Sequence, residues 1–270
     1  MFIKKDLQKT LFEVKDDMRH FFIKPLAPDA LMAVITGSDA RHIKTVLRLK
    51  PGDNISLFDG SGIEYEAKIT ALTTGRIEVA VIRRFPSMVE SPVQIIIAQG
   101  LLKDRKMDGL VRHLTELGIT KWIPFLAHRS IPKPDKKHLL KRRERWEAIA
   151  KEAAKQCKRA RIPEISELVS FEKALDMAAS CDLKIVFWEN ELKPVNALAT
   201  VPDRQFDTIF AMLGPEGGFT SQEIETAKSQ GFISAALGPR ILKAGTATIA
   251  AGVLLQYLFG DMGQKTLDIK

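Results

Sequence analysis

The chain of 270 residues carries 41 lysines and arginines against 33 aspartates and glutamates, a net charge of +8, and 45% of its residues are hydrophobic. This composition is typical of a folded chain of about two domains, and the positive charge favours a polyanionic partner such as nucleic acid. The sequence argues against three classes of protein. A membrane-spanning protein is excluded because no apolar run reaches the ~18 residues of a spanning helix. A disulfide-stabilised protein and a metalloprotein are excluded because the two cysteines form no disulfide framework and the five histidines show no metal-ligand spacing.

The N-terminal third of the chain has the pattern of an all-β unit. Residues 1–17 are mixed and charged and lack the pattern of a secretory signal, so we expect an N-terminal extension and a cytoplasmic protein. A helix is predicted over residues 38–49, with Ser38 as a favourable N-cap. The strand candidates are residues 21–23, 55–58, 64–72 and 76–83. Short strands joined by tight turns predict a small β-barrel over residues 18–85.

The pattern changes after a short linker. Residues 86–92 contain two prolines and two serines and are the predicted linker. Over residues 93–270, strands and helices alternate, which predicts an α/β domain with a mostly parallel sheet covered by helices. The strand candidates are residues 93–98, 122–127, 183–188, 208–213 and 232–237. The helix candidates are residues 106–117, 137–159, 171–179, 221–230 and 246–259.

Two glycine-rich corners each follow an apolar strand and precede a helix. The first occupies residues 214–218, and Thr220 and Glu223 behind it have the spacing of a capping box. The second opens with Gly238 and Pro239 at an equivalent strand end. Glycine lets backbone N–H and C=O groups approach a ligand, and open α/β sheets bind ligands at the carboxyl ends of their strands. The two corners therefore predict one backbone-lined pocket, suited to a flat polar molecule such as a nucleoside cofactor.

These motifs carry a resemblance to a known family. The strings LGPEGGFT at residues 213–220 and LGPRIL at 237–242 resemble the RsmE family of SPOUT-class RNA methyltransferases. The resemblance covers almost the whole chain from Met18 onward. It includes DARHIKTVLRLKPGD at residues 39–53, TELGI at 115–119, the pair Arg129-Ser130 and EAAKQCKR at 152–159.

The resemblance implies a fold and an activity. It implies a C-terminal trefoil knot that binds S-adenosylmethionine, an N-terminal PUA-like barrel that binds RNA, and a homodimer with no membrane or metal partner. The implied reaction methylates N3 of one uridine in the 16S ribosomal RNA of the small subunit. The expected cofactor-binding residues are Trp188, Glu189, Leu213, Gly214, Pro215, Glu216, Gly217, Gly218, Leu237, Gly238, Arg240, Leu242 and Thr246.

The candidate RNA contacts and catalytic group are basic. A uracil that loses its N3 proton develops negative charge on its carbonyl oxygens, and Arg129, Lys103 or Arg240 could stabilise that charge. We assign Arg129 to this role; the sequence identifies no general base. A basic stretch over residues 133–161 also favours RNA phosphate, although a solvated helix face has the same pattern. The expected RNA contacts are Arg19, Arg41, His42, Arg48, Lys103, Lys106 and Arg159.

The chain departs from the family pattern in three places. Lys243, Ala244 and Gly245 stand where the family usually has Arg-Thr-Glu, so a carboxylate that could cap the last helix is missing. His113 stands where a lysine is usual, and the family's usual start resembles the sequence from Met18. The Gly245 departure motivates an alternative function: a catalytically weak or inactive SPOUT-fold protein that binds RNA or assists ribosome assembly. A nicotinamide enzyme is a third reading, disfavoured because no dinucleotide fingerprint is present.

Overall fold

The computed structural model describes residues 20–103, 105–131, 135–195 and 206–263. The extension at residues 1–17 and the expected RNA contact Arg19 lie outside these ranges. The chain divides into two compact units. The N-terminal unit runs to Glu90 and includes Lys158–Arg161, and the second unit comprises Ser91–Cys157 and the chain from Ile162 onward.

The N-terminal unit is built around a five-stranded curled sheet over its described residues. Its elements are β1 (His20–Phe22), β2 (Met32–Thr36), α1 (Gly37–Arg41), a π-helical turn (His42–Leu47), β3 (Asn54–Phe58), β4 (Ile63–Thr73) and β5 (Arg76–Pro86). The strand order is β1-β3-β4-β5-β2, in which β1 and β3 are parallel and the other pairs antiparallel. Two register shifts in the long β4–β5 hairpin bend it, as β-bulges do, and the sheet encloses an apolar core.

Tyr65 and Asp59 form a buried polar pair at the β3–β4 turn. The Tyr65 hydroxyl donates to Oδ2 of Asp59 at 2.7 Å, and the other carboxylate oxygen accepts from the backbone and the hydroxyl of Ser61. Burial raises the pKa of Tyr65 to about 12, aided by the hydrogen bond and charge of Asp59 and opposed by the charge of Arg84. The folded protein therefore holds the phenol in its neutral form.

We expect this pair to make the N-terminal unit sensitive to strong alkali. Because the folded pKa of Tyr65 is raised, its contribution to stability is complete below its ordinary value of 10.0 and is lost as the pH rises through about 12. The measurement is tyrosinate absorbance in wild type minus that in Tyr65→Phe, which should titrate near pH 12. A difference signal that titrates near pH 10 would show that the phenol is not held by Asp59.

Glu90 fastens a later stretch of chain to the N-terminal unit. One carboxylate oxygen accepts from Nε and Nη2 of Arg159 at 3.1 and 2.8 Å, and the other accepts from the backbone N–H groups of Ala160 and Arg161. Only 3% of the Arg159 side chain is exposed. The expectation that Arg159 contacts RNA stays a prediction, and such a contact would require breaking a buried ion pair and leaving Glu90 uncompensated.

The second unit is an α/β structure. Its elements are β6 (Gln94–Gly100), α2 (Lys106–Glu116), β7 (Lys121–Leu126), α3 (Lys136–Gln156), β8 (Glu164–Ile165), β9 (Val169–Ser170), α4 (Phe171–Asp176), β10 (Leu183–Phe187), β11 (Thr208–Leu213), α5 (Ser221–Ser229), β12 (Ile233–Ala235) and α6 (Ala244–Phe259). Over the described residues the strand order is β12-β10-β11-β6-β7-β8, with β9 also paired to β7, and all these pairings are parallel.

Both faces of this sheet are buried. In β6, Ile95 and Ile97 face a core shared with α2, α3 and α6, whereas Ala98 faces a second core shared with α4 and α5. A strand that is covered on both faces needs apolar side chains on both, which explains the apolar run over residues 95–98 of β6. The prediction of a mostly parallel sheet covered by helices is confirmed, and the trefoil knot stays a prediction. Among the described helices, none combines the length and apolarity that crossing a membrane requires.

Candidate functional site

Three loops meet at one edge of the parallel sheet. The first glycine corner, residues 214–218, follows β11; Trp188 and Glu189 follow β10; and the second corner, opened by Leu237 and Gly238, follows β12. Because β10 lies between β11 and β12, the carboxyl ends of the three strands are neighbours. Expected cofactor residues from three separated parts of the sequence thus lie at the edge where α/β sheets bind ligands.

The first corner is packed backbone against backbone. Gly218 has a φ of +67° and its N–H donates to the carbonyl of Pro215 at 2.9 Å, which closes a tight turn. A Cβ on Gly218 would overlap the carboxylate of Glu189, and a Cβ on Gly100 would lie 2.6 Å from the backbone nitrogen of Pro215. A side chain at Gly218 is therefore excluded by contact as well as by conformation, and a side chain at Gly100 is excluded by contact.

Arg129 lies against the first corner from the loop after β7. Its Nη1 donates to the carbonyl of Gly217 at 3.0 Å and to that of Phe219 at 3.4 Å, while the residue as a whole is exposed. The neighbouring His128 backbone N–H donates to Glu223 at 2.8 Å. A guanidinium group is thus held at the mouth of the corner with its charge available to a ligand.

Glu223 joins the Arg129 loop to helix α5. The predicted capping box with Thr220 is present: the Thr220 hydroxyl accepts from the Glu223 N–H, and the Glu223 carboxylate accepts from the Thr220 N–H. The same carboxylate, almost buried, also accepts from His128. The sequence pattern predicted the cap but gave no signal for this second contact, because its partner lies 95 residues away.

Glu216 ties the first corner to the segment before α2. Its carboxylate accepts from the backbone N–H of Lys103 at 3.1 Å and from Nζ of Lys106 at 2.9 Å. Partial burial raises the pKa of Glu216, but these hydrogen bonds more than reverse that effect, so the pKa lies below its ordinary value. The carboxylate is therefore ionised at neutral pH. Two expected RNA contacts, Lys103 and Lys106, are thus brought beside the expected cofactor residues.

Gln99 is a structural link that the sequence analysis missed. It is fully buried, its Nε2 donates to the carbonyls of Gly100 and Gly214 at 2.9 and 3.0 Å, and its Oε1 accepts from the hydroxyl of Thr248 in α6. Gln99 thereby fixes the start of the first corner against the last helix. The sequence did contain a signal for this link, because Gln99 is a polar residue at the end of an otherwise apolar strand.

The site contains groups that fit a nucleoside cofactor. Nε1 of Trp188 is shielded from solvent and has no hydrogen-bond partner among the described residues, so it offers a donor to a ligand. Gly238 begins the second corner with a φ of +114°, a conformation that glycine adopts readily, and no atom lies within 4 Å of the place that a Cβ would occupy. The first corner brings main-chain groups close to the side chains of Arg129 and Glu189. A donor such as the indole N–H of Trp188 suits a flat polar ligand.

The remaining expected cofactor residues surround the second corner. Arg240 is exposed, Leu242 is half-buried, and Thr246 is exposed on the first turn of α6. Lys243 is the N-cap of α6 and makes no side-chain capping bond. The first turn of this helix therefore directs backbone N–H groups and positive dipole toward the corner without an acidic side chain to compensate them.

Gly245 leaves space at the start of α6, which allows the family-pattern departure to be tested. A Cβ there would meet only Leu110 Cδ2, at 4.0 Å. We expect Gly245→Glu to stabilise the protein by about 1–2 kcal/mol, because it restores helix propensity and places an acid near the helix N-terminus. Thermal unfolding checks this, with Gly245→Ala as the control that restores propensity alone. A glutamate variant no more stable than the alanine variant would show that the missing charge has no consequence.

The expected RNA contacts of the N-terminal unit lie along one short helical segment. Arg41 ends α1, His42 begins the π-helical turn, and Arg48 follows that turn with a φ of +53°. All three residues are exposed. Three cationic or polar side chains are thus presented to solvent on one stretch of backbone. In the described residues, no group of three histidine, cysteine, aspartate or glutamate side chains is arranged to hold a metal.

Comparisons with known proteins identify the family of this chain. Residues 89–256 match the family model of an RNA methyltransferase domain, and residues 35–82 match that of an RNA methyltransferase PUA domain. The chain is 33% identical over 247 residues to ribosomal RNA small subunit methyltransferase E of Bacillus subtilis, covering 89% of this chain and 96% of the relative. The corresponding protein of Buchnera aphidicola (Schizaphis graminum) is 30% identical over 84% of this chain and 91% of its own length.

Solved structures show the same fold. Ribosomal RNA small subunit methyltransferase E of Neisseria gonorrhoeae, bound to S-adenosyl methionine, superposes with a TM-score of 0.79 at 31% identity, covering 91% of this chain and 99% of the other. A putative methyltransferase of Legionella pneumophila, in complex with the same cofactor, superposes with a TM-score of 0.78 at 27% identity and the same coverage. From these matches and the two domain assignments, the chain belongs to the ribosomal RNA small subunit methyltransferase E family.

Proposed function

We propose that this protein transfers the methyl group of S-adenosylmethionine to N3 of a uridine in the 16S ribosomal RNA of the small subunit. The observation that carries the proposal is the first glycine corner, residues 214–218, with the guanidinium group of Arg129 bound to its carbonyls. The glycines of the corner let its backbone lie against Arg129 and Glu189, and Arg129 supplies positive charge beside it. Membership of an RNA methyltransferase family supports the reaction class.

The protein's part in the reaction is positioning and control of charge. The cofactor, when bound, supplies a methyl group already activated for transfer. The backbone of the two corners, Trp188 and Leu242 would hold it. The uracil N3 must lose a weakly acidic proton, and the Arg129 guanidinium lowers the cost of that loss by stabilising negative charge on the uracil carbonyl oxygens. The hydrogen bonds from Arg129 to Gly217 and Phe219 hold the charge in place before the substrate arrives.

The substrate is an RNA nucleotide, which reaches the site only when it leaves its stack. We assign backbone contacts to Arg41, His42 and Arg48 of the N-terminal unit, and to Lys103 and Lys106 beside the first corner. We propose that the protein acts in the cytoplasm, where it would meet a ribosomal substrate. Transfer of tritium from labelled cofactor to small subunits, naked 16S RNA and transfer RNA tests the assignment: label on the small subunit or 16S RNA supports it, and label on transfer RNA alone overturns it.

The alternative of an inactive RNA-binding protein rested on Gly245, and α6 forms despite that residue. Affinity for S-adenosylmethionine separates the two functions. Binding in the micromolar range with methyl transfer supports the enzyme. RNA binding in a protein with no measurable cofactor affinity supports the inactive scaffold.

The outward face of α6 is the surface we propose for the homodimer. Val253 and Tyr257, one helical turn apart, are 38% and 60% exposed, and Ile241 before the helix is 86% exposed. A second copy would cover these apolar side chains and complete the site. We expect Tyr257→Glu to shift sedimentation toward the monomer. Met88→Glu, at an exposed apolar position of the N-terminal unit, is the control and should leave the dimer intact; equal behaviour of the two variants would contradict the assignment.

A further inference from the structure

An open cavity with several charged residues in its wall lies between the start of α2 and the middle of α3. Its volume is about 610 Å³, and it is lined by Arg105, Asp108, Arg142, Arg145 and Trp146. All five residues belong to the second unit, and Arg142 and Arg145 are part of the basic stretch over residues 133–161. Its lining is unusual because three guanidinium groups surround a single carboxylate.

The carboxylate in the cavity is already engaged. Oδ2 of Asp108 forms an ion pair with Nη2 of Arg145 at 2.6 Å but has no hydrogen-bond partner among the described residues. Oδ1 of Asp108 accepts from Nε1 of Trp146 at 3.1 Å. Its negative charge is therefore balanced by Arg145, and the charges of Arg105 and Arg142 remain in excess. The cavity has a net positive charge that no side chain in its lining offsets.

Arg142 provides the second, independent observation. Its Nη1 is shielded from solvent and has no hydrogen-bond partner among the described residues. A buried donor left unpaired is costly, and the cost is larger for a charged group. An anion in the cavity would remove it. A guanidinium group also offers paired N–H donors in a fork that matches the oxygens of a phosphate.

The helix beside the cavity adds to the same field. Arg105 is the N-cap of α2, an 11-residue helix, and makes no side-chain capping bond. The first backbone N–H groups of α2 and the positive end of its dipole therefore act together with the arginines. Arg105 also lies between Lys103 and Lys106, both of which bind Glu216 of the first glycine corner. The cavity is thus joined to the proposed methyl-transfer site through a few residues of continuous chain.

We propose that this cavity binds a backbone phosphate of the substrate RNA, close to the nucleotide that is methylated. The inference rests on the proposed function, since that function makes RNA the ligand. The guanidinium groups of Arg142 and Arg105 bind the phosphate. Asp108 orients the side chains of Arg145 and Trp146 at the cavity wall. The site fixes the position of the RNA backbone and carries no sequence information.

Salt-dependent RNA binding tests the site. The affinity of full-length protein for 16S RNA is measured between about 50 and 200 mM salt for wild type, Arg105→Gln and Arg142→Gln. Each variant should bind roughly three- to tenfold more weakly and lose about 0.7–0.9 from the slope of log affinity against log salt. Arg143→Gln is the matched control: Arg143 lies next to Arg142 on α3 but is paired with Glu147 and Glu167.

The outcomes separate this inference from the proposed function. Slopes equal to that of wild type in both test variants, or an equal loss in Arg143→Gln, would overturn the phosphate site. Affinity for S-adenosylmethionine without RNA should be unchanged in all variants. Absence of methyl transfer in wild type would refute the proposed function while the slopes still report on the cavity. If Arg142→Gln fails to fold, exposed Arg105→Gln and the charge-preserving Arg142→Lys decide: loss of slope in the first and retention in the second supports the site.

Inorganic phosphate distinguishes the source of the anion. Addition of phosphate at a fixed ionic strength should compete with RNA in wild type and much less in Arg142→Gln. Saturable phosphate binding in wild type, without any effect of either variant on RNA affinity, would assign the cavity to a small free anion and overturn the RNA site.

Discussion

Replacement of Gly218 by valine is expected to lower the affinity for S-adenosylmethionine by at least ~100-fold, which corresponds to about 2.7 kcal/mol. Gly218 has a φ of +67°, a conformation that a β-branched residue strongly disfavours, and its Cβ would overlap the Glu189 carboxylate. Both effects displace the first glycine corner. Titration calorimetry with the cofactor or its demethylated product measures the loss.

A matched control isolates the corner from general backbone strain. Gly75, in the β4–β5 turn of the N-terminal unit, has a φ of +78° and no atom within 4 Å of the place a Cβ would occupy. Gly75→Val should therefore lose stability from the same conformational strain while it keeps its cofactor affinity. Near wild-type affinity in Gly218→Val, or a similar loss in both variants, would show that the first corner does not hold the cofactor.

Arg129→Ala is expected to lower kcat for methyl transfer by about 10²–10³, the effect of removing one preorganised charge that stabilises a reacting group. The cofactor Kd should change much less, because the guanidinium group acts on charge that develops on the uracil. Single-turnover rates at saturating RNA and cofactor give the comparison. Arg112→Ala, at an exposed position on α2, is the control and should react at the wild-type rate.

A lysine variant separates charge from support of the corner. Arg129 also binds the carbonyls of Gly217 and Phe219, so its removal leaves two acceptors without that donor. Arg129→Lys keeps the positive charge and should recover part of the lost rate. Retention of full kcat by Arg129→Ala, or a loss that appears only in the cofactor Kd, would assign Arg129 to structure rather than to the reacting centre.

The α/β part of the fold was predictable because its strands and helices differ strongly in pattern. The predicted strands at residues 93–98, 183–188 and 208–213 correspond to β6, β10 and β11 with small shifts at their ends. In contrast, β2 was not predicted. Residues 32–35 are all apolar, so the sequence does not alternate between apolar and polar residues as that of a half-buried strand usually does. The alternation appears only in the structure, where the exposed residues Met32 and Val34 alternate with buried ones.

The candidate site could be predicted only where its residues are contiguous in sequence. The glycine corners are predictable from glycine and proline at the ends of strands. The capping box of Thr220 and Glu223 is predictable from the spacing of these two residues in the sequence. The contacts of Gln99 with Thr248 and of Glu223 with His128 join distant parts of the chain and have no local pattern. The ion pair between Arg159 and Glu90 was missed for a related reason, because the sequence does not distinguish a buried, paired arginine from a solvated one.

The Glu90–Arg159 pairing has a consequence for how the chain is synthesised. The first unit receives its final four residues, Lys158–Arg161, only after β6, α2, β7 and α3 have been translated. A nascent chain that ends before them lacks the cation that pairs with Glu90, so this part of the amino-terminal unit can form only after those elements of the second unit have been synthesised. A fragment that ends at the boundary between the two units would also lack Lys158–Arg161 and the cation that pairs with Glu90. The function of each unit is therefore best studied by substitutions in the full-length protein.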